Sequence, residues 1–99
     1  MFAAIRYYQA EPPSIDEVSR RVEEGFVPVI RDMVGFVSYF VLVPSDREDE
    51  IVSVSVFEDQ QSAEESNRKA TEWVAQNLQE LLRPAPEFAE GQIVVYEAK

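Results

Sequence analysis

From Phe2 to Gln9 (FAAIRYYQ) the chain is β-prone, and Glu11-Pro12-Pro13 closes the segment, because consecutive prolines cannot continue a ladder. Ser14-Ile15-Asp16-Glu17 has the spacing of a capping box, with Glu17 reaching back to the cap. Ile15, Val18, Val22, Phe26, Val29, Ile30 and Met33 then recur at helical spacing, while Arg20, Arg21, Glu23 and Glu24 fall elsewhere on the wheel. Pro28 lies inside this helix. It has no N–H for the Glu24 carbonyl and its ring crowds that carbonyl. With Gly25 just before it, this predicts a kink or split near residues 25–28 and a second short helix ending near Val34.

Gly35 punctuates, and Phe36 to Val43 (FVSYFVLV) reads as a strand. The charged turn from Pro44 to Glu50 leads into a second hydrophobic strand, Ile51 to Phe57 (IVSVSVF), so the two form an antiparallel hairpin. A helix capped by Asp59 or Ser62 runs to about Leu82, where Pro84-Ala85-Pro86 stops it. On its wheel Asn67 falls in the middle of an apolar stripe with Ala63, Val74, Leu78 and Leu81, and Trp73 sits at the edge. Gln92 to Tyr96 (QIVVY) is the last predicted strand. The order β-α-β-β-α-β over residues 1–99 is that of one ferredoxin-like α+β domain: a four-stranded antiparallel sheet with two helices on one face.

Strand alternation adds an assembly expectation. In the second strand Val37, Tyr39, Val41 and Val43 share one face and Phe36, Phe40 and Leu42, with Ser38, the other; in the third, Val52, Val54 and Val56 oppose Ile51, Ser53, Ser55 and Phe57. Both faces are apolar, yet two helices cover only one. A homodimer packed sheet on sheet hides the other.

Composition narrows the chemistry. The chain of 99 residues has no cysteine and no histidine, which removes disulfides, thiolate and imidazole ligands and the commonest general base. A formal charge of −10 repels phosphate backbones and anionic membranes, so neither nucleic acid nor a membrane is an expected partner. No apolar run approaches the ~20 residues of a membrane span. The first residues lack the features of a secretory signal, so the cytoplasm is the expected location. The acidic run Asp46–Glu50 lacks EF-hand spacing and reads as a solvated turn; no metal site is expected.

At this point the chain resembles the dimeric α/β-barrel superfamily and, within it, the antibiotic biosynthesis monooxygenase-like domains. The resemblance covers almost the whole chain. It rests on element order, on the early strand Phe2-Ala3-Ala4-Ile5-Arg6-Tyr7-Tyr8, on Gly35-Phe36-Val37-Ser38-Tyr39, and on Val54-Ser55-Val56-Phe57-Glu58-Asp59 leading into a helix with Ala63 and Trp73. It implies a dimeric barrel with a cavity between sheet and helices in each protomer. It also implies that some members oxidise polycyclic phenols with O₂, without metal or flavin, using Asn, Trp and Tyr side chains. Haem-degrading relatives depend on a histidine, and this chain has none.

Asn67 and Trp73 match those residue types, and Tyr7, Tyr8 and Tyr39 are candidate tyrosines. An unpaired buried amide costs roughly 1–3 kcal/mol, so Asn67 either donates to a phenolate or enolate oxygen or makes a structural bond to backbone or Tyr. Trp73 is a wall for a flat ligand or rim packing. Tyr7 and Tyr39 are expected to contact a ligand carbonyl or to keep their hydroxyls near the surface. Arg6 neutralises an anionic ligand or pairs with a carboxylate on the second helix; Phe26 and Phe40 are further ligand-contact candidates. Ser53 and Ser55 fill small spaces against the helices and have no histidine to activate them. Two readings follow. One is a cofactor-independent monooxygenase acting on a planar phenolic or quinone-like molecule. The other is a non-catalytic module that binds a small aromatic ligand or is filled by its own side chains.

Overall fold

A computed structural model describes residues 1–84 and 86–99. Strand β1 is Phe2–Gln9. A 3₁₀ turn at Pro12–Ser14 feeds helix α1, Ile15–Arg21, which runs through a π-helical turn, Val22–Phe26, into α2, Val27–Arg31. Strands β2 (Phe36–Leu42) and β3 (Glu50–Phe57) follow, then α3 (Gln60–Asn77) and β4 (Glu87–Gln92). The sheet order is β2-β3-β1-β4, antiparallel at every pairing. The helices lie on one face: a ferredoxin-like α+β fold. Among the described residues no helix is long and apolar enough to cross a membrane.

The expected break in the first helix takes the form of a widened turn. The Val27 N–H donates five residues back, to the Val22 carbonyl. Widening the ladder just ahead of Pro28 gives its ring room and absorbs the missing donor. The Ser14 capping box does not form. Ser14 has helical dihedrals (φ −87°, ψ −10°) and makes no side-chain cap, while Arg20 and Arg21 take the Glu17 carboxylate. Asp59 does cap α3, accepting from the Ser62 N–H at 2.8 Å. Gly35, at φ +80°, turns the chain into β2 where a side chain would be strained.

Helix α3 ends at Asn77, five residues before the expected stop. Leu78 leaves the helix (φ −126°, ψ 10°) and is buried, and Leu82 bridges to Ala10 on the continuation of β1. The last strand is Glu87–Gln92, not Gln92–Tyr96. It pairs with Phe2–Tyr7 through backbone bonds with its own side chains exposed, and Val94 and Val95 stand 86% and 85% exposed beyond it.

Register fixes the two faces. Ala4, Arg6 and Tyr8 of β1 lie opposite Ser55, Ser53 and Ile51 of β3, and all point at the helices. A bulge between Phe36 and Ser38 moves Phe36 onto that same face, where it meets Phe57 edge-on at 5.9 Å. One core cluster gathers Ala4, Phe26, Ile30, Phe57, Ala63 and Ala70; the other gathers Tyr8, Ala10, Val18, Ile51 and Leu78. Arg6, between Ala4 and Tyr8 along β1, sits where the two meet. On the far face lie Ile5, Tyr7, Phe40, Leu42 and Val54, with no second layer over them among the described residues.

Candidate functional site

The helix-facing centre of the sheet is polar, although everything around it is apolar. Arg6 is fully buried. Its Nη1 donates to Asn67 Oδ1 on α3 at 2.9 Å, and its Nη2 donates to Ser53 Oγ at 2.9 Å and Ser55 Oγ at 2.6 Å on β3. The Tyr39 hydroxyl on β2 shares a 2.9 Å hydrogen bond with Ser53. Three strands and one helix therefore converge on one guanidinium. Every partner is neutral: among the described residues no carboxylate reaches Arg6.

Two polar atoms in this region have no protein partner, Arg6 Nε and the Tyr8 hydroxyl, and both are buried. Burial lowers the Arg6 pKa, and the nearby Tyr8 and Tyr39 oxygens partly offset that; a guanidinium nonetheless stays protonated. Burial pushes the Tyr8 hydroxyl up to about 12 against the pull of Arg6, and raises Tyr39 as well. Both phenols are neutral at neutral pH and can donate.

Arg6, Tyr8 and Ser53 border a cavity between sheet and helices whose aromatic wall is Tyr8, Phe26, Tyr39 and Trp73. Phe26 is the hinge of that wall, 5.6 Å from the Tyr39 ring centre and 5.5 Å from that of Trp73, and the Arg6 guanidinium lies 5.9 Å from its centroid. The open lumen is about 20 Å³, roughly what one water needs. Trp73 rests on the π-helical turn: a Cβ built at Gly25 would lie 2.8 Å from the indole Cζ2. A widened turn and a missing side chain together make the recess that holds the indole.

The expected site residues divide accordingly. Arg6, Phe26, Tyr39 and Trp73 come together at the cavity. Asn67 is half-buried and meets it only through Arg6; because it accepts from Nη1 with Oδ1, its NH₂ is the end left to donate. The buried stripe of α3 is Ala63, Ser66 and Ala70, so Asn67 lies at its margin. Tyr7 and Phe40 are not part of this arrangement. Strand alternation turns both to the far face, where Phe40 is 49% exposed and Tyr7 borders an open groove with Arg47 and Arg83. Tyr8, next door to Tyr7, is the tyrosine that alternation aims inward. Ser53 and Ser55 are more than space-fillers: they are two of the three acceptors for Arg6. Their signal in the sequence is that they are the polar members of β3's otherwise apolar helix-facing row.

No curated protein matches the chain. Among solved structures, a protein of unknown function from Nitrosomonas europaea superposes with TM-score 0.77 at 13% identity, covering 99% of this chain and 93% of that one. The monooxygenase of the ActVA-Orf6 gene of Streptomyces coelicolor, crystallised in complex with nanaomycin D, gives TM-score 0.76 at 17% identity, with 99% and 91% covered. SnoaB of Streptomyces nogalater, a cofactor-independent oxygenase, gives 0.69 at 15%, with 99% and 97% covered. At these identities the likeness is one of fold. The sequence model of the antibiotic biosynthesis monooxygenase family matches residues 1–75, three-quarters of the chain, and the chain belongs to that family.

Proposed function

We propose that this chain is a cofactor-independent monooxygenase acting on a planar phenolic or quinone-like molecule held between sheet and helices. The observation that carries the reading is the aromatic wall of Tyr8, Phe26, Tyr39 and Trp73 beside a buried polar cluster. Family membership and the oxygenase named among its structural neighbours support it. In such a reaction a ring CH₂ becomes a carbonyl. One oxygen atom of O₂ enters the carbon, and the other leaves as water with the two hydrogens lost, so the substrate is the reductant. The protein contributes desolvation, orientation by the flat aromatic walls, and the Tyr39 hydroxyl as a polar contact. Asn67 is a positioning residue for Arg6.

An oxygen electrode tests this with an anthrone and with a hydroquinone. The expected result is uptake of one O₂ per anthrone without added metal or flavin, reduced in Trp73→Ala and Tyr39→Phe. No uptake above the blank with either compound overturns it. The narrow lumen favours the second reading, a non-catalytic ligand-binding module, and that outcome would leave it standing.

The working unit in this proposal is a homodimer joined through the open sheet face, where Ile5, Phe40, Leu42 and Val54 form an apolar layer. Phe40 then belongs to the interface and not to the cavity. Light scattering at micromolar concentration is expected to report twice the 11.3 kDa chain mass; a particle of single-chain mass overturns the dimer.

A further inference from the structure

Arg6 brings together three properties that no other arginine among the described residues combines. It is fully buried, its partners are all neutral, and its Nε–H has no protein acceptor. A buried cation is strongly unfavourable unless an anion or a full set of acceptors compensates it. The chain carries 19 acidic residues, and Arg20, Arg21, Arg47, Arg68 and Arg83 all reach one or more of them. None is placed at Arg6. The second unpartnered buried atom is the hydroxyl of Tyr8, two residues along the same strand and on the same face, and both residues border the same cavity. Burial keeps that phenol protonated, so it too is a donor.

We propose that the cavity recognises its ligand as a monoanion: an oxyanion on a flat apolar body, with the anionic oxygen accepting from Arg6 Nε–H and from the Tyr8 hydroxyl. This rests on the reading of the cavity as a ligand site, and it holds whether or not the site is catalytic. One cation amid neutral groups suits a single negative charge, so a phosphate dianion is disfavoured. The aromatic wall sets the flat apolar body. A two-ring ligand also needs the indole of Trp73 to swing out of its recess over Gly25, since the lumen is small. The oxyanion is a carboxylate or a phenolate, and the two sources are separable.

The test is calorimetric titration of the intact protein with 2-naphthoate, 2-naphthol and the neutral 2-acetylnaphthalene. Naphthoate is expected to bind at least tenfold tighter than the ketone. Bound naphthol is expected to show the absorption of naphtholate at neutral pH if phenolates are accepted, and of neutral naphthol if the site takes carboxylates alone. Arg6→Met is expected to erase the preference for naphthoate. Tyr8→Phe, which changes less, is expected to weaken naphthoate several-fold with little change for the ketone, and it serves if Arg6→Met does not fold. Equal affinity for carboxylate and ketone in the wild type, or a preference that survives both substitutions, overturns the proposal and leaves the cavity as a neutral aromatic site. Failure of all three probes to bind overturns the ligand-site reading as well.

Discussion

Arginine occupies two opposite environments in this molecule. On the surface, Arg20 bonds Glu17 and Glu24, Arg21 bonds Glu17 and reaches across to Glu80 at 2.5 Å, and Arg83 meets Glu11 at 2.5 Å. These side chains are a third to two-thirds exposed, so water and salt screen the pairs and the fold depends little on them. Beneath the helices, Arg6 is wholly buried with hydroxyl and amide partners and no carboxylate. The environment that would gain most from an opposite charge is the one without it. Stability alone does not account for such an arrangement, because an apolar residue would fill the same space at lower cost. A bound oxyanion, as proposed, would supply the missing opposite charge.

The largest expected effect comes from weakening the buried side of this contrast. Ser53→Ala with Ser55→Ala removes two of the three acceptors for Arg6 and leaves the cation in place. A loss of about 3–5 kcal/mol is expected, read from urea unfolding. A loss under 1 kcal/mol would mean that water already reaches the guanidinium. Arg6→Met goes the other way. It removes the charge and keeps most of the volume, so unfolding free energy is expected to rise by about 1–4 kcal/mol while anion binding is lost. Serine hydroxyls can then bond one another or Tyr39. A large destabilisation would show instead that Arg6 is a structural pin.

How far this contrast was readable in advance depends on the residue. β1 to β3 followed from alternation and punctuation, and the bend in the first helix followed from Pro28, because each is decided by neighbours a few residues apart. The partnership of Arg6 with Ser53 and Ser55 depends on the register of strands some fifty residues apart, and no local pattern encodes it. The end of the chain misleads for a related reason. Gln92 to Tyr96 has higher β-propensity than Glu87 to Gln92, but the open edge of β1 accepts backbone partners, and tertiary placement overrides propensity. On α3 the wheel centred Asn67 because it left out the small residues Ser66 and Ala70, which are buried and shift the stripe to one side of it.

A smaller effect is expected at the roof of the cluster. Gly25→Ala places a methyl 2.8 Å from the Trp73 ring, so the indole must move. Overpacking of this kind costs roughly 1–3 kcal/mol, offset in part by about 1 kcal/mol of improved helix propensity. Trp73 is the single tryptophan, so its emission reports the displacement directly. A shift to longer wavelength is expected as water gains access. Unchanged emission would mean that the helical turn yields and the indole does not.

The smallest effect is expected on the surface, at Glu17, whose carboxyl is held at about 2 by hydrogen bonds from Arg20 and then Arg21, against an ordinary 4.5. A carboxyl whose pKa falls on folding stabilises the native state above its unfolded pKa and loses that contribution as the pH drops through the folded one. The window is therefore between 4.5 and about 2. Glu17→Gln removes the titrating group while still presenting an acceptor. The variant is expected to be slightly less stable than the wild type at neutral pH, because an exposed pair contributes little, and the two melting temperatures are expected to converge as the pH falls across that window. Added salt is expected to shrink the remaining difference, because exposed pairs are screened. A change at neutral pH as large as that from the serine pair would erase the distinction between the two kinds of arginine.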